Sequence, residues 1–208
     1  MGRFLAAIAV SLGLSIMSVA AIAAAPDLAA LRVPPGAKIE VWADGVANAR
    51  SMARSTLGTV FVGTRTGGGR VYAVRTRTDG SREVLTIASG LNTPNGVAYR
   101  KGALYVAEID RILRYDDIDN RLQAPPSPVI VTTLPGERHH GWRYMAFGPD
   151  DKLYVAIGAP CNVCDRDKEG YATLVRMNAD GSGREVVARG VRNSVGFTWH
   201  PRTRELWF

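Results

Sequence analysis

Val60-Phe61-Val62, Leu104-Tyr105-Val106, Leu153-Tyr154-Val155 and Leu206-Trp207-Phe208 decide how this chain folds, because each sets an aromatic residue inside an apolar triplet. The aromatics follow one another at 44, 49 and 53 residues (61 to 105, 105 to 154, 154 to 207). That is the period of β-propeller blades and is too long for most helical or leucine-rich repeats.

The order of elements around each triplet repeats as well. Asn95-Gly96-Val97-Ala98-Tyr99 predicts a first strand, Lys101-Gly102 a turn, and the triplet a second strand. Arg111-Ile112-Leu113-Arg114-Tyr115 and Val129-Ile130-Val131-Thr132 predict the third and fourth. Neighbouring units supply third strands at Val71-Tyr72-Ala73-Val74 and Leu174-Val175-Arg176-Met177, and fourth strands at Glu83-Val84-Leu85-Thr86 and Glu185-Val186-Val187-Ala188. The turns Thr78-Asp79-Gly80-Ser81 and Asn178-Ala179-Asp180-Gly181-Ser182 are near copies, rich in residues that accept the backbone angles of tight hairpins. No long 3.6-residue periodicity interrupts this pattern, so the class is all-β rather than α/β.

The two ends of the chain suggest a larger ring. Residues 39–46 read as a fourth strand with no blade before it, and Phe208 falls within an apolar run on the second strand of another blade. An unpaired apolar edge is something natural sheets avoid. The expectation is the N-terminal part of a longer β-propeller of four-stranded blades, with about three and a half blades present. Partial rings that close by pairing two chains are the other reading.

Arg3 precedes an uncharged apolar stretch from Phe4 to Ala20, then Ala21-Ile22-Ala23, a small-x-small cleavage pattern. Residues 1–23 are therefore expected to be a secretory signal peptide, and 24–208 the partial propeller domain. The run is near the ~18-residue length of a membrane span. Its alanines and cleavage pattern instead favour removal, with no stable membrane insertion afterwards and a periplasmic or secreted product. The net charge of +7 is spread without a Lys/Arg block or an interleaved aromatic ladder, which argues against a nucleic-acid partner. A positive centre suited to an anionic small molecule stays open.

The two cysteines form one motif, Cys161-Asn162-Val163-Cys164. In an oxidising compartment the pair fits a local disulfide, and a redox-active C-x-x-C is the other reading. Zinc would need a second ligand pair, and haem attachment a histidine where Asp165 stands.

Chemistry-bearing side chains are few, with three histidines in all. His139 and His140 lie in Gly136-Glu137-Arg138-His139-His140-Gly141-Trp142-Arg143, directly before an innermost strand, where propeller loops open at the axis. Histidine titrates nearest neutral pH, so this loop is the candidate seat of a general base, against the plainer reading of a polar loop. Arg192, in the equivalent loop of the next blade, could hold a carboxylate or polarise an oxygen gaining charge. It could equally bond loop carbonyls. Asn95 occupies a comparable place, although Pro94-Asn95-Gly96 is also an ordinary turn.

With these residues in view, the chain resembles the pyrroloquinoline quinone (PQQ)-dependent sugar dehydrogenases, and among them the sorbosone dehydrogenase-like branch. The resemblance runs from Leu31-Arg32-Val33-Pro34-Pro35-Gly36 onward. It rests on Ala49-Arg50-Ser51-Met52-Ala53, Gly102-Ala103-Leu104-Tyr105-Val106-Ala107, the His140 loop leading into Phe147-Gly148-Pro149-Asp150, the Cys161–Cys164 motif, and Arg192-Asn193 before Gly196. It implies a six-bladed ring in the full-length protein, with PQQ in the central cleft and calcium nearby. It also implies His140 as general base and Arg192 and Asn193 as cofactor contacts. The implied reaction oxidises an aldose sugar or a ketoaldehyde such as sorbosone: His140 takes the hydroxyl proton while hydride passes to the quinone, and an unspecified acceptor removes the electrons. The calcium ligands are expected beyond Phe208, so the 208-residue form is expected to be inactive alone and no metal ligand is assigned within it.

Two alternatives remain at this stage. One is a non-catalytic exported propeller that binds or scaffolds, since a fold does not fix a function. The other is a metal-dependent lactonase of the same fold, which needs acidic inner-loop ligands that are scarce here.

Overall fold

In a computed structural model, residues 27–66, 68–164, 166 and 169–208 are described. The proposed signal peptide lies outside them. The chain falls into two units, Met1–Glu40 and Val41–Phe208. In the first, Asp27 caps a short 3-10 turn, Leu28–Ala30, its carboxylate accepting from the Ala29 amide at 3.1 Å.

The second unit is built of antiparallel sheets, as the triplets require. Strands β1 (Ala49–Arg54), β2 (Val60–Thr64), β3 (Val71–Thr76) and β4 (Arg82–Ala88) pair in sequence order. So do β5 (Gly96–Arg100), β6 (Ala103–Ala107), β7 (Arg111–Tyr115) and β8 (Val129–Thr133). A third sheet holds β9 (Met145–Phe147), β10 (Leu153–Ile157), β11 (Thr173–Met177) and β12 (Glu185–Arg189), and β13 (Thr198–Trp199) pairs with β14 (Leu206–Trp207). These are three four-stranded propeller blades and the first hairpin of a fourth.

The triplets are continuous rather than alternating because each central blade is covered on both faces. Successive strand residues point to opposite sides. Leu104 and Val106 of β6 join Phe61, Val71 and Val97 in a core between the first two blades. Their neighbours Tyr105 and Ala107 join Met145, Leu153, Val155 and Ile157 between the second and third. In β10 the roles repeat, with Tyr154 and Ala156 facing Phe197 and Trp199. Each fully buried large side chain contributes about 1.5–3 kcal/mol relative to exposure, so one triplet seals two interfaces.

Smaller details repeat with the blades. Each pairing of a third with a fourth strand carries one register shift, between Val71 and Tyr72, Ile112 and Leu113, and Leu174 and Val175. Such bulges raise local twist. The two copied turns share a geometry: Asp79 accepts from the Ser81 amide at 2.8 Å and Asp180 from the Ser182 amide at 3.0 Å. Gly80 and Gly181 hold φ of 83° and 87°.

Residues 39–46 depart from expectation, for no strand forms there among the described residues. A strand exists only with a paired neighbour, and no described strand bonds to this segment. Ala43 and Val46 instead pack on Val62, Tyr72 and Val74, covering the outer face of the first blade.

Antiparallel order brings the loops before β1, β5, β9 and β13 to one end of the blades, together with the loops joining second to third strands. The candidate residues lie at that end.

Candidate functional site

The His140 loop is anchored from beneath by a buried charge. Arg143, 1% exposed, donates to the carbonyls of Ile109, Pro135 and His140, and so ties its own loop together and to the β6–β7 loop. Burial lowers its pKa to about 10. Its own carbonyl accepts from the Asn95 side-chain amide at 2.9 Å. Asn95 is thereby committed to structure rather than presented to a ligand. Gly96 permits this approach, since a Cβ there would lie 2.5 Å from the Arg143 carbonyl oxygen.

His140 sits half-buried above this anchor in a left-handed conformation, φ 48°. Its Nδ1 lies 2.9 Å from the carbonyl oxygen of Ala159, just beyond β10. A carbonyl can only accept, so in the neutral ring the proton resides on Nδ1 and the lone pair on Nε2. That tautomer presents Nε2 as a base. His139 is exposed, with Nε2 3.1 Å from Asn162 Oδ1, and its ring meets that of His140 edge-on at 4.1 Å between centroids.

Arg192 reaches the same place from the loop before β13. The Ala159 amide donates to the Arg192 carbonyl at 2.7 Å. A cleft of about 630 Å³ opens here, lined by Ala159, Asn162, Val163, Cys164, Arg189 and Arg192 among others. Asn193 is half-buried beside Arg192. A larger cleft of about 1070 Å³ lies along β13 and β14 among Tyr144, Phe197, Trp207 and Phe208. Its lining is mainly aromatic, with Glu205 as its charged member. The smaller cleft is lined by guanidinium and amide groups and by Ala159, whose carbonyl holds His140, and is the better seat for chemistry.

Cys161 and Cys164 are bonded to each other, with Cα atoms 6.0 Å apart, and Cys164 lines this cleft. His200 is occupied elsewhere, its Nδ1 accepting from the Thr203 amide at 3.1 Å in a surface turn. Among the described residues no group of three or more His, Cys, Asp or Glu is arranged to hold a metal ion, and no helix is long and apolar enough to cross a membrane.

The sequence reading missed Arg143, Ala159 and the Arg65 guanidinium stacked 3.3 Å from the centre of the Trp142 ring. Ala159 acts through backbone atoms, which no side-chain pattern reveals.

No family model matches the chain. An uncharacterized protein of Borreliella burgdorferi is 30% identical over 199 residues, 90% of this chain and 51% of that protein. The chain thus spans about half the length of the curated relative it matches. Among solved structures, the PQQ-bound aldose sugar dehydrogenase of Streptomyces coelicolor superposes with a TM-score of 0.63 at 21% identity, over 81% of this chain and 57% of that one. The calcium structure of a Trichoderma reesei enzyme of carbohydrate-active family AA12 gives 0.63 at 16% identity, over 74% and 43%. The chain has the β-propeller fold of these proteins.

Proposed function

We propose that the full-length protein is an exported quinoprotein dehydrogenase, PQQ-dependent, acting on an aldose or a ketoaldehyde such as sorbosone. The observation that carries this reading is the Ala159 clasp. It fixes His140 with Nε2 as acceptor and fastens the Arg192 loop to the same residue. The neighbours of like fold support it, one solved with PQQ bound and one with calcium.

The residues present fit a flat, polyanionic quinone. The cleft offers the Arg192 guanidinium and the Asn162 amide beside apolar Ala159 and Ala172, and arginine is the side chain suited to carboxylates. Arg192 and Asn193 would hold the cofactor, which when bound supplies the two-electron acceptor. His140 Nε2 removes the hydroxyl proton of the sugar, or of a hydrated aldehyde, as its carbon gives up hydride. The Arg192 charge steadies the oxygen as negative charge develops. Calcium finds no ligand set among the described residues, and no step is assigned to it. Residues 1–23 direct export and are removed.

The test is dye reduction by the full-length protein with aldoses, with and without added PQQ. Cofactor-dependent reduction supports the reading. Its absence, with PQQ bound or not, makes the propeller a binding module.

A further inference from the structure

The loop closed by Cys161 and Cys164 encloses Asn162 and Val163, both exposed, Val163 by 95%. Neither residue is needed to fill a core. Asn162 is nonetheless engaged, its Oδ1 accepting from His139 Nε2, and His139 in turn braces the His140 ring edge-on. On another side Gly158 leaves no slack, since a Cβ there would lie 2.5 Å from the His140 Cβ. His140 itself is held at positive φ, which a non-glycine residue keeps only where its surroundings fix it. The ring is bounded by the end of β10, by the Ala159 carbonyl and by His139, and His139 is secured by a covalently closed loop.

We propose that the Cys161–Cys164 loop is a redox-sensitive positioning device, in which Asn162 and His139 are positioning residues that hold the His140 ring against the Ala159 carbonyl and so in its Nδ1–H tautomer. Opening it takes a dithiol reductant. The Sγ–Sγ bond breaks, each cysteine sulfur gains an electron and a proton, and the dithiol is oxidised to its own disulfide. Asn162 then loses its fixed place and His139 its partner. The proposal rests on His140 being the base of the reaction above, yet its physical content is measurable without turnover.

The test uses the full-length protein with ¹⁵N-labelled histidine, first without cofactor, in long-range ¹H–¹⁵N correlation spectra that report the His140 tautomer. Three variants are compared with the wild type: Asn162→Ala, Asn162→Asp, and the double change Cys161→Ser with Cys164→Ser. Asn162→Ala and the double serine variant are expected to mix the two His140 tautomers. In the loaded enzyme they lower kcat about tenfold, with KM for sugar within about twofold, as slight misplacement of a base does. Asn162→Asp keeps an acceptor oxygen for His139 and is expected to keep the single His140 tautomer. An unchanged tautomer in Asn162→Ala overturns the proposal, and so does an Asn162→Asp that behaves like Asn162→Ala. Should the serine variant fail to fold, Asn162→Ala decides. Should the wild type show no turnover at all, the dehydrogenase reading falls while the tautomer still decides the positioning role.

Discussion

His140 and Arg192 are fastened to opposite sides of one peptide residue: the Ala159 carbonyl takes the His140 Nδ1 hydrogen bond at 2.9 Å, and the Ala159 amide donates to the Arg192 carbonyl at 2.7 Å. Two blades thereby set their axial loops by a shared backbone unit. Because the Arg192 main chain is held in this way, its side chain can be removed without loosening the clasp. Arg192→Ala in the full-length enzyme is expected to weaken PQQ binding and lower turnover together, since one charge serves both anions. A titration following PQQ absorbance checks the first, and intact binding would count against the assignment.

Gly158→Ala probes the wall behind the histidine. The added Cβ would lie 2.5 Å from the His140 Cβ and carbonyl oxygen alike, closer than real contacts allow. Urea denaturation is expected to show a loss of about 1–3 kcal/mol, the usual cost of overpacking. A variant as stable as the parent would mean that the loop moves freely.

Arg143→Leu removes the donors of three carbonyls at once, those of Ile109, Pro135 and His140. Each buried acceptor left unpaired costs about 1–3 kcal/mol, so the urea midpoint should fall severely. Arg143→Lys should rescue little, because a single ammonium cannot span the three. Full rescue by lysine would show that charge, not the fork of donors, anchors the loop.

Asp151 links the second and third blades through Lys101 at 2.7 Å and through Arg100. The hydrogen bond from Lys101, with Arg100 nearby, holds its carboxyl below the usual carboxylate range. The folded pKa is thus lower than the unfolded one, so the stability it contributes is fully present above the unfolded value and is lost as pH falls through the folded one. Asp151→Asn should lower the urea midpoint at neutral pH and lower it less as the pH falls toward the folded pKa of Asp151, since the wild-type carboxylate is then being protonated. An equal loss throughout would assign the effect to packing instead.

The blades were legible because burial on both faces forces a continuous apolar triplet, and the aromatic within it marks the period. Strand order alone then set the His140 and Arg192 loops at one end. Residues 39–46 form no strand, because an apolar segment needs a paired neighbour to become one, and Ala43 and Val46 pack on Val62 and Val74 without a ladder. The clasp escaped notice since any residue but proline at position 159 offers the same carbonyl and amide. Arg143 escaped for another reason, as pattern places charges outside and it is buried.

The central claim is that His140, in the tautomer set by Ala159, removes the substrate proton. The measurement that bears on it most directly is steady-state turnover of an aldose by full-length His140→Ala reconstituted with PQQ and calcium. A fall of about 10²- to 10⁴-fold in kcat, the usual worth of a general base, with PQQ binding kept, is the predicted result. Undiminished turnover in His140→Ala, or its abolition in His139→Ala instead, would contradict the account.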